Sequence, residues 1–287
     1  MGKEAQNQTP GPMRLDVGDV LRSRLGARAS RVPGWLVRGL ENLIHQDEMN
    51  RMLLEAYPRR GAEFCRAIVE HVGVDVELEG REHMPAHGDS RVLFVSNHPL
   101  GGLDGMSLID LITRQCGREP LFVVNDLLMA IEPLRGVFLP INKHGAQSRG
   151  SVSGIDAALA SDRPVVIFPA GLCSRKLKGG VADLEWKKTF VHKAREFKRD
   201  IIPLHFIGEN SRSFYRWARI REMLGIKLNI EMALLPGEIF KARGKKFTVV
   251  AGEAIPWASL GPDSRAEALR IRRLVYDLKP KNANKDS

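Results

Sequence analysis

The sequence predicts an α/β fold: a mixed, largely parallel sheet flanked by helices, with an N-terminal helical segment. Three observations predict it. Short apolar runs of strand length recur through the middle of the chain, at residues 92–95, 121–124, 165–168 and 201–206. Helix-compatible stretches separate those runs, and strands alternating with helices are the pattern of parallel pairing. Ahead of them, residues 30–72 repeat apolar side chains at helical spacing.

The elements follow in order. Residues 1–12 are polar, lack an apolar signal core and read as a disordered lead. A helical segment is expected over 13–73, where Trp35, Leu36, Leu40, Leu43 and Ile44 share a helical period. Residues 49–56 and 62–72 continue it, with Pro58 and Gly61 as breaks. Core packing is the expected use of its apolar face, and a membrane surface is the other. At Val74 the period changes to two, since Val74, Val76 and Leu78 alternate with Asp75 and Glu77 as in a half-buried strand. An α/β domain is expected from there to residue 279. It holds the four apolar runs, helices at 106–116, 154–160 and 186–197, later strands at 228–234 and 247–251, and a closing helix at 265–278. Residues 280–287 read as a disordered tail.

Composition narrows the function. At 287 residues with 43% hydrophobic and 27% charged side chains, the chain has an ordinary globular balance. Cys65, Cys116 and Cys173 are widely spaced, which fits a reducing, cytoplasmic setting rather than a disulfide framework. No apolar run approaches the roughly 18–20 residues that span a bilayer. The net charge of +10 concentrates in residues 172–199 and 212–246. Such surfaces attract anionic lipid or an acidic carrier protein. Nucleic acid is not expected, because aromatics are only 6% and no RNA-binding signature or zinc-finger spacing is present. The eight histidines are scattered without metal-ligand spacing, so no metal site is expected.

The most informative stretch is Ser96-Asn97-His98-Pro99-Leu100-Gly101-Gly102-Leu103-Asp104-Gly105. It follows a strand, precedes a helix and puts a histidine and a carboxylate on one glycine-rich loop. A general base needs that pairing. A lone loop histidine is ordinarily a polar surface residue, so the case rests on other blocks. One is Leu134-Arg135-Gly136-Val137-Phe138-Leu139-Pro140-Ile141-Asn142-Lys143-His144, apolar with a basic end. Another is Phe168-Pro169-Ala170-Gly171-Leu172-Cys173-Ser174-Arg175-Lys176-Leu177-Lys178, a turn with a hydroxyl and three cations suited to an anion. The last is the strand Ile201-Ile202-Pro203-Leu204-His205-Phe206.

These four blocks, in this order, resemble the glycerolipid acyltransferase superfamily of PlsC or lysophosphatidate acyltransferase-like enzymes, over residues 74–210. The resemblance implies an α/β domain, often preceded by helices that engage the membrane or the acyl chain. It makes His98 the catalytic histidine and Asp104 its partner carboxylate. Gly136 and Lys143 fall in the acceptor-binding block, and Phe168, Pro169, Gly171 and Ser174 in the third. Three departures stand out. Five residues separate His98 from Asp104, where the family usually has four. Ala170 stands where a glutamate is usual, and Lys143 where an arginine is usual. A lysine does not replace a bidentate arginine, so an acceptor other than glycerol phosphate is expected.

The histidine loop, the Phe-Pro-Ala-Gly block and residues 183–190 are most similar to the hemolysin-like branch of bacterial amino-acid N-acyltransferases, related to makers of glycine lipids and commendamide-type molecules. That branch implies transfer of a 3-hydroxyacyl group from an acyl carrier protein or coenzyme A thioester to the amino group of glycine or a similar amino acid. His98 would act as general base with Asp104 behind it, and backbone N–H groups of residues 101–105 would face the oxyanion. Substrate-binding positions would be Asn97, Gly101, Gly102, Gly136, Lys143, Phe168, Pro169, Gly171, Ser174, Arg175 and Lys176. No bound cofactor is implied beyond the thioester co-substrate. The implied partners are an acyl carrier protein, a small amino-acid acceptor, an anionic membrane surface and a second O-acyltransferase acting afterwards. The implied place is the cytoplasm, peripheral on the inner face of the cell membrane. Two other expectations stand beside this one: O-acylation of lysophosphatidic acid or another lysolipid, and a membrane-surface binding protein without catalysis.

Overall fold

Among the described residues, seven strands hydrogen-bond into one sheet whose central positions hold the apolar runs. The computed structural model describes residues 11–141, 148–223, 225 and 234–280. The chain begins with four helices, α1 (Val17–Leu25), α2 (Gly34–Leu43), α3 (Gln46–Ala56) and α4 (Gly61–Val72). There follow β1 (Asp75–Glu79), β2 (Leu93–Ser96), α5 (Leu103–Cys116), β3 (Leu121–Asn125) and β4 (Phe138–Ile141). Next come α6 (Ser148–Ala160), β5 (Val165–Ile167), β6 (Arg175–Leu177), β7 (Gly180–Ala182) and α7 (Thr189–Glu196). The last elements are β8 (Ile201–Ile207), α8 (Arg212–Met223), α9 (Leu235–Lys241), β9 (Lys246–Ala251) and α10 (Ser264–Asp277).

The sheet order is β1-β9-β8-β2-β5-β3-β4. From β8 to β4 every pairing is parallel, whereas β9 joins β8 antiparallel and carries β1 parallel to itself. The expected mixed, largely parallel sheet is therefore present. Five strands place their carboxyl ends on one edge, where α/β folds collect their chemistry.

Side-chain alternation divides the core. Leu93, Val95, Val165 and Ile201 enter a cluster with Phe190 and Val191 of α7 and Ile271 and Val275 of α10. Phe94, Val166, Ile202 and Leu204 enter the other, with Phe64 and Ile68 of α4 and Leu108 and Ile112 of α5. Strands covered on both faces read as unbroken apolar runs, which is why residues 92–95 and 201–206 lack alternation.

The structure differs from the sequence reading at three places, and a fourth expectation falls outside the described residues. Residues 138–141, read from sequence only as part of an apolar block, form the edge strand β4. The cationic stretch 175–182 is a hairpin, β6 paired antiparallel with β7. α7 begins at Thr189 because Trp186 turns inward and is buried. The strand expected at 228–234 lies outside the described residues except for Leu234, which caps α9.

Arg175 and Arg199 of the basic stretch are not on the surface. Arg199 is fully buried, and its guanidinium donates to the carbonyls of Val92, Ala158, Leu159, Ser161 and Arg163. Three of those lie at the end of α6, where the helix leaves carbonyls without internal donors. Burial, with Arg91 nearby, lowers the Arg199 pKa to about 10. Among the described residues no helix is long and apolar enough to cross a membrane.

Candidate active site

His98 lies two residues beyond the end of β2, and Asp104 is the second residue of α5. The residues between form a turn in which Gly101 takes φ +84°, a conformation that glycine enters without steric cost. The turn accommodates the five-residue spacing and closes the contact. His98 Nδ1 lies 3.0 Å from Asp104 Oδ2. Asp104 Oδ2 also accepts the Leu100 N–H at 2.8 Å, and Oδ1 accepts the Gly105 N–H at 2.8 Å. Both carboxylate oxygens of Asp104 are thereby engaged by backbone donors at the start of the helix. The carboxylate is wholly shielded from solvent. An acceptor there sets the tautomer, because Nδ1 then carries the proton and Nε2 holds the free lone pair. The His98 side chain is 16% exposed.

Burial disfavours the charged imidazole, and Arg175 opposes it too. The Asp104 charge and hydrogen bond, with Asp183 further off, outweigh both, so the His98 pKa is raised above its ordinary 6.5. Phe168, just past β5, stacks on the ring at 4.0 Å between centroids and 17° between planes. It is backed in turn by Phe122 at 5.5 Å. The stack fixes the imidazole plane from the side that Asp104 does not touch.

A second buried carboxylate ties the loop down. Asp183 Oδ1 accepts the backbone N–H of His98 at 3.2 Å and the hydroxyl of Ser174, and Oδ2 accepts the Trp186 indole N–H at 2.9 Å. The Ser174 N–H donates to the His98 carbonyl at 2.7 Å. Both backbone groups of His98 are thus held by the 174–186 segment. Asp183 was in view only as part of the 183–190 stretch. Its signal was an acidic residue three before a tryptophan in an otherwise basic region, which does not by itself reveal a partner 85 positions away.

The expected site residues separate into three groups. Asn97, His98, Gly101, Gly102, Asp104, Phe168, Pro169, Gly171, Ser174 and Arg175 gather at the carboxyl edge. Within this group Asn97 turns its amide to β8, donating to the Phe206 carbonyl at 2.8 Å and accepting its N–H at 2.7 Å. Ser174 is likewise engaged and only 1% exposed. Both side chains are engaged in holding the frame. Arg175 is buried and donates to the Cys173 carbonyl at 3.1 Å. Lys176 is exposed on the β6–β7 hairpin.

Gly136 is placed elsewhere. It precedes β4, so it lies at the amino edge of the sheet, with its carbonyl facing Arg163 Nη1 at 3.4 Å. The expected acceptor block is one run in sequence, but β4 begins within it, and Gly136 lies ahead of that strand. Gly136 therefore cannot share a site with His98. Lys143, at the other end, lies outside the described residues.

The oxyanion expectation narrows as well. Gly105 N–H is engaged by Asp104, and Met106 N–H closes on the Gly102 carbonyl at 3.1 Å. Cys173 is 1% exposed, and burial pushes its thiol well up, so it is held as the un-ionised form rather than a nucleophile. His205 gives Nδ1 to the Leu278 carbonyl at 2.6 Å, and burial lowers its pKa.

Known proteins resemble this chain over most of its length. A family model described as acyltransferase matches residues 19–281. A lyso-glycine lipid O-acyltransferase of Phocaeicola vulgatus is 43% identical over 266 residues, covering 92% of this chain and 95% of that protein. A lyso-glycine lipid O-acyltransferase of Bacteroides thetaiotaomicron is 42% identical over 266 residues, covering 92% and 97%. The crystal structure of the 1-acyl-sn-glycerophosphate acyltransferase PlsC from Thermotoga maritima covers 92% of this chain and 97% of its own, at 16% identity and a TM-score of 0.49.

Both relatives are named for transfer to oxygen, and this overturns the amino-acid N-acyltransferase expectation. The error has a physical source. A neutral imidazole backed by a carboxylate can take a proton from a hydroxyl or from an ammonium-derived amine alike, so the dyad says nothing of the acceptor atom. Ala170 and Lys143 argued against glycerol phosphate, which is not an argument for an amine.

Proposed function

The chain belongs to the acyltransferase family, and from that premise we propose that it transfers a fatty acyl group from a thioester to a hydroxyl of a glycine-headed lysolipid, forming an ester. The observation that carries this reading is the His98–Asp104 dyad, held at the carboxyl edge of the sheet with no hydrogen-bond partner on Nε2 among the described residues. Identity of 43% and 42% to relatives named for lysolipid O-acylation supports the choice of acceptor.

In this reading His98 Nε2 accepts the acceptor's hydroxyl proton as the oxygen attacks the thioester carbonyl. Asp104 stabilises the imidazolium that forms and does not itself take the proton. Collapse of the tetrahedral intermediate breaks the carbon–sulfur bond, and the imidazolium returns the proton to the departing thiolate. No enzyme nucleophile is required, which agrees with the buried, protonated Cys173. Phe168 keeps the imidazole in plane, while Asn97, Ser174 and Asp183 position the loop. Lys176 and Lys178, exposed on the hairpin that leaves the loop, would attract the carboxylate of a glycine headgroup or the phosphate of a phosphopantetheine arm.

The test uses purified full-length protein, an acyl thioester and a lysolipid bearing a free hydroxyl, with the ester product followed by mass spectrometry. The expected result is thioester-dependent ester formation that His98→Ala lowers by about 10²–10⁴-fold. Absence of ester with the wild-type protein, or a loss of only a few-fold in the variant, would overturn the reading.

A further inference from the structure

Helix α8 leaves from the catalytic edge. It starts two residues after Asn210, whose side chain donates to the Pro99 carbonyl of the histidine loop at 3.1 Å. Inwardly the helix buries Phe214, Tyr215 and Ala218. Outwardly it presents an unusual face. Trp217 is 48% exposed, Ile220 38% and Met223 79%. Arg212, Arg216 and Arg219 are exposed beside them, with no hydrogen-bond or ion-pair partner among the described residues.

At 3.6 residues per turn these six side chains share one side of the helix. The arginines fall in one sector with Met223 among them, and Ile220 and Trp217 fill the adjoining one. An ordinary solvated helix face mixes both signs of charge and seldom exposes a tryptophan with two large aliphatic neighbours. Arginine beside exposed tryptophan and aliphatics is the chemistry of the bilayer interface. The ring and chains enter the acyl boundary, and the guanidinium groups stay at phosphate level.

We propose that α8 is a membrane-docking helix, laying Trp217, Ile220 and Met223 into an anionic bilayer while Arg212, Arg216 and Arg219 engage its headgroup phosphates. Charge complementarity selects that occupant over a neutral surface. Docking through this helix holds the His98 loop at the interface, where an amphiphilic substrate resides. The proposal stands on α8 alone and does not depend on which acceptor is acylated.

The test is co-sedimentation of the full-length protein, without substrate, with vesicles of equimolar phosphatidylglycerol and phosphatidylcholine and with phosphatidylcholine alone. Wild type is expected to bind the anionic vesicles, to release with added salt, and to bind the neutral ones weakly. Each cation near an anionic surface contributes about fivefold. Joint replacement Arg212→Gln, Arg216→Gln and Arg219→Gln should therefore weaken binding by about a hundredfold. Joint replacement of the same three by lysine should retain it, which separates lost charge from lost fold. Trp217→Ala should remove a blue shift in tryptophan emission that vesicles induce.

Anionic-vesicle binding unchanged in the glutamine variant overturns the proposal, as does failure of wild type to bind. If the glutamine variant binds vesicles normally and loses turnover only with a carrier-protein-bound acyl donor, the face is a protein interface and the proposal falls. Because vesicle binding needs no turnover, failure here leaves the proposed reaction intact, and failure of that reaction leaves this result intact.

Discussion

The backbone N–H of His98 donates to the buried Asp183 carboxylate at 3.2 Å, so the histidine is anchored by two acids with different tasks. Asp104 meets the ring and sets its proton. Asp183 meets the main chain and sets where the ring stands. The second carboxylate has no solvent exposure and takes all its donors from protein groups.

Asp183→Asn tests this division. The amide keeps the shape but turns one acceptor oxygen into a donor that faces donors. One bond to the His98 N–H, the Ser174 hydroxyl or the Trp186 indole must fail. An unsatisfied buried polar group costs about 1–3 kcal/mol, which for a chain of this length lowers Tm by roughly 2–4 °C per kcal/mol. Misplacement of the base should also lower kcat by about tenfold or more while KM changes little. A fall in Tm with unchanged kcat would show a purely structural role.

The pH dependence of the reaction follows from the raised His98 pKa. The base must be neutral, so activity is lost as pH falls through that pKa. The acid limb of kcat/KM should therefore lie above the ordinary value of about 6.5. Asp104→Asn removes the charge that raises it and leaves burial, which lowers it, so the limb should move to lower pH while the plateau falls. Stability has the opposite sign. Protonated His98 is favoured in the folded state, so that contribution is present below the unfolded pKa and fades as pH rises through the folded one. An acid limb unmoved by Asp104→Asn would mean that another group titrates.

Much of this architecture was readable because burial on both faces writes itself as apolar runs. β2, β5 and β8 were found for that reason. β4 was not, since Pro140 and an exposed Ile141 disguise an edge strand as a turn. The β6–β7 hairpin carries Arg175 and Lys176, and charge hid its pairing. His98 and Asp104 were legible from six positions of separation, whereas the Asp183 contact joins residues 85 apart and exists only after folding. Gly136 lies ahead of β4, a placement at the amino edge that its motif does not reveal. The acceptor atom was not legible at all, since the base works on either nucleophile.

Arg199 makes a stability prediction away from the chemistry. It lies at the amino edge, where Val92 precedes β2, and serves carbonyls of five residues. Arg199→Met keeps the apolar stem and removes every donor. Orphaned carbonyls at the end of α6 should cost about 3–5 kcal/mol, in line with breaking other buried charged networks. Chemical denaturation should show that loss, while kcat measured well below the melting temperature should change little. Arg199→Lys should rescue only part of the stability, because an ammonium offers three donors without the planar fork. Full stability in the methionine variant would mean that water replaces the guanidinium.

Gly101 gives the most local test of the loop. Its φ of +84° is strained for any residue with a side chain, by about 1–2 kcal/mol. A methyl group there would sit 2.8 Å from Leu235 Cδ1 of α9 and 3.3 Å from the Cys173 sulfur. Leu235 can swing away at its tip, so the contact alone is tolerable. The backbone is not so free, because relaxing Gly101 rotates the turn that carries Leu100, whose N–H donates to Asp104 Oδ2. Gly101→Ala should therefore fold, lose about 1–3 kcal/mol of stability, and lose more in kcat than in KM as the dyad opens. The proton resonance of His98 Nδ1–H should shift in the same variant. Normal turnover with an unchanged resonance would show that the turn can relax without disturbing the dyad, and that the second glycine, Gly102, absorbs the five-residue spacing instead.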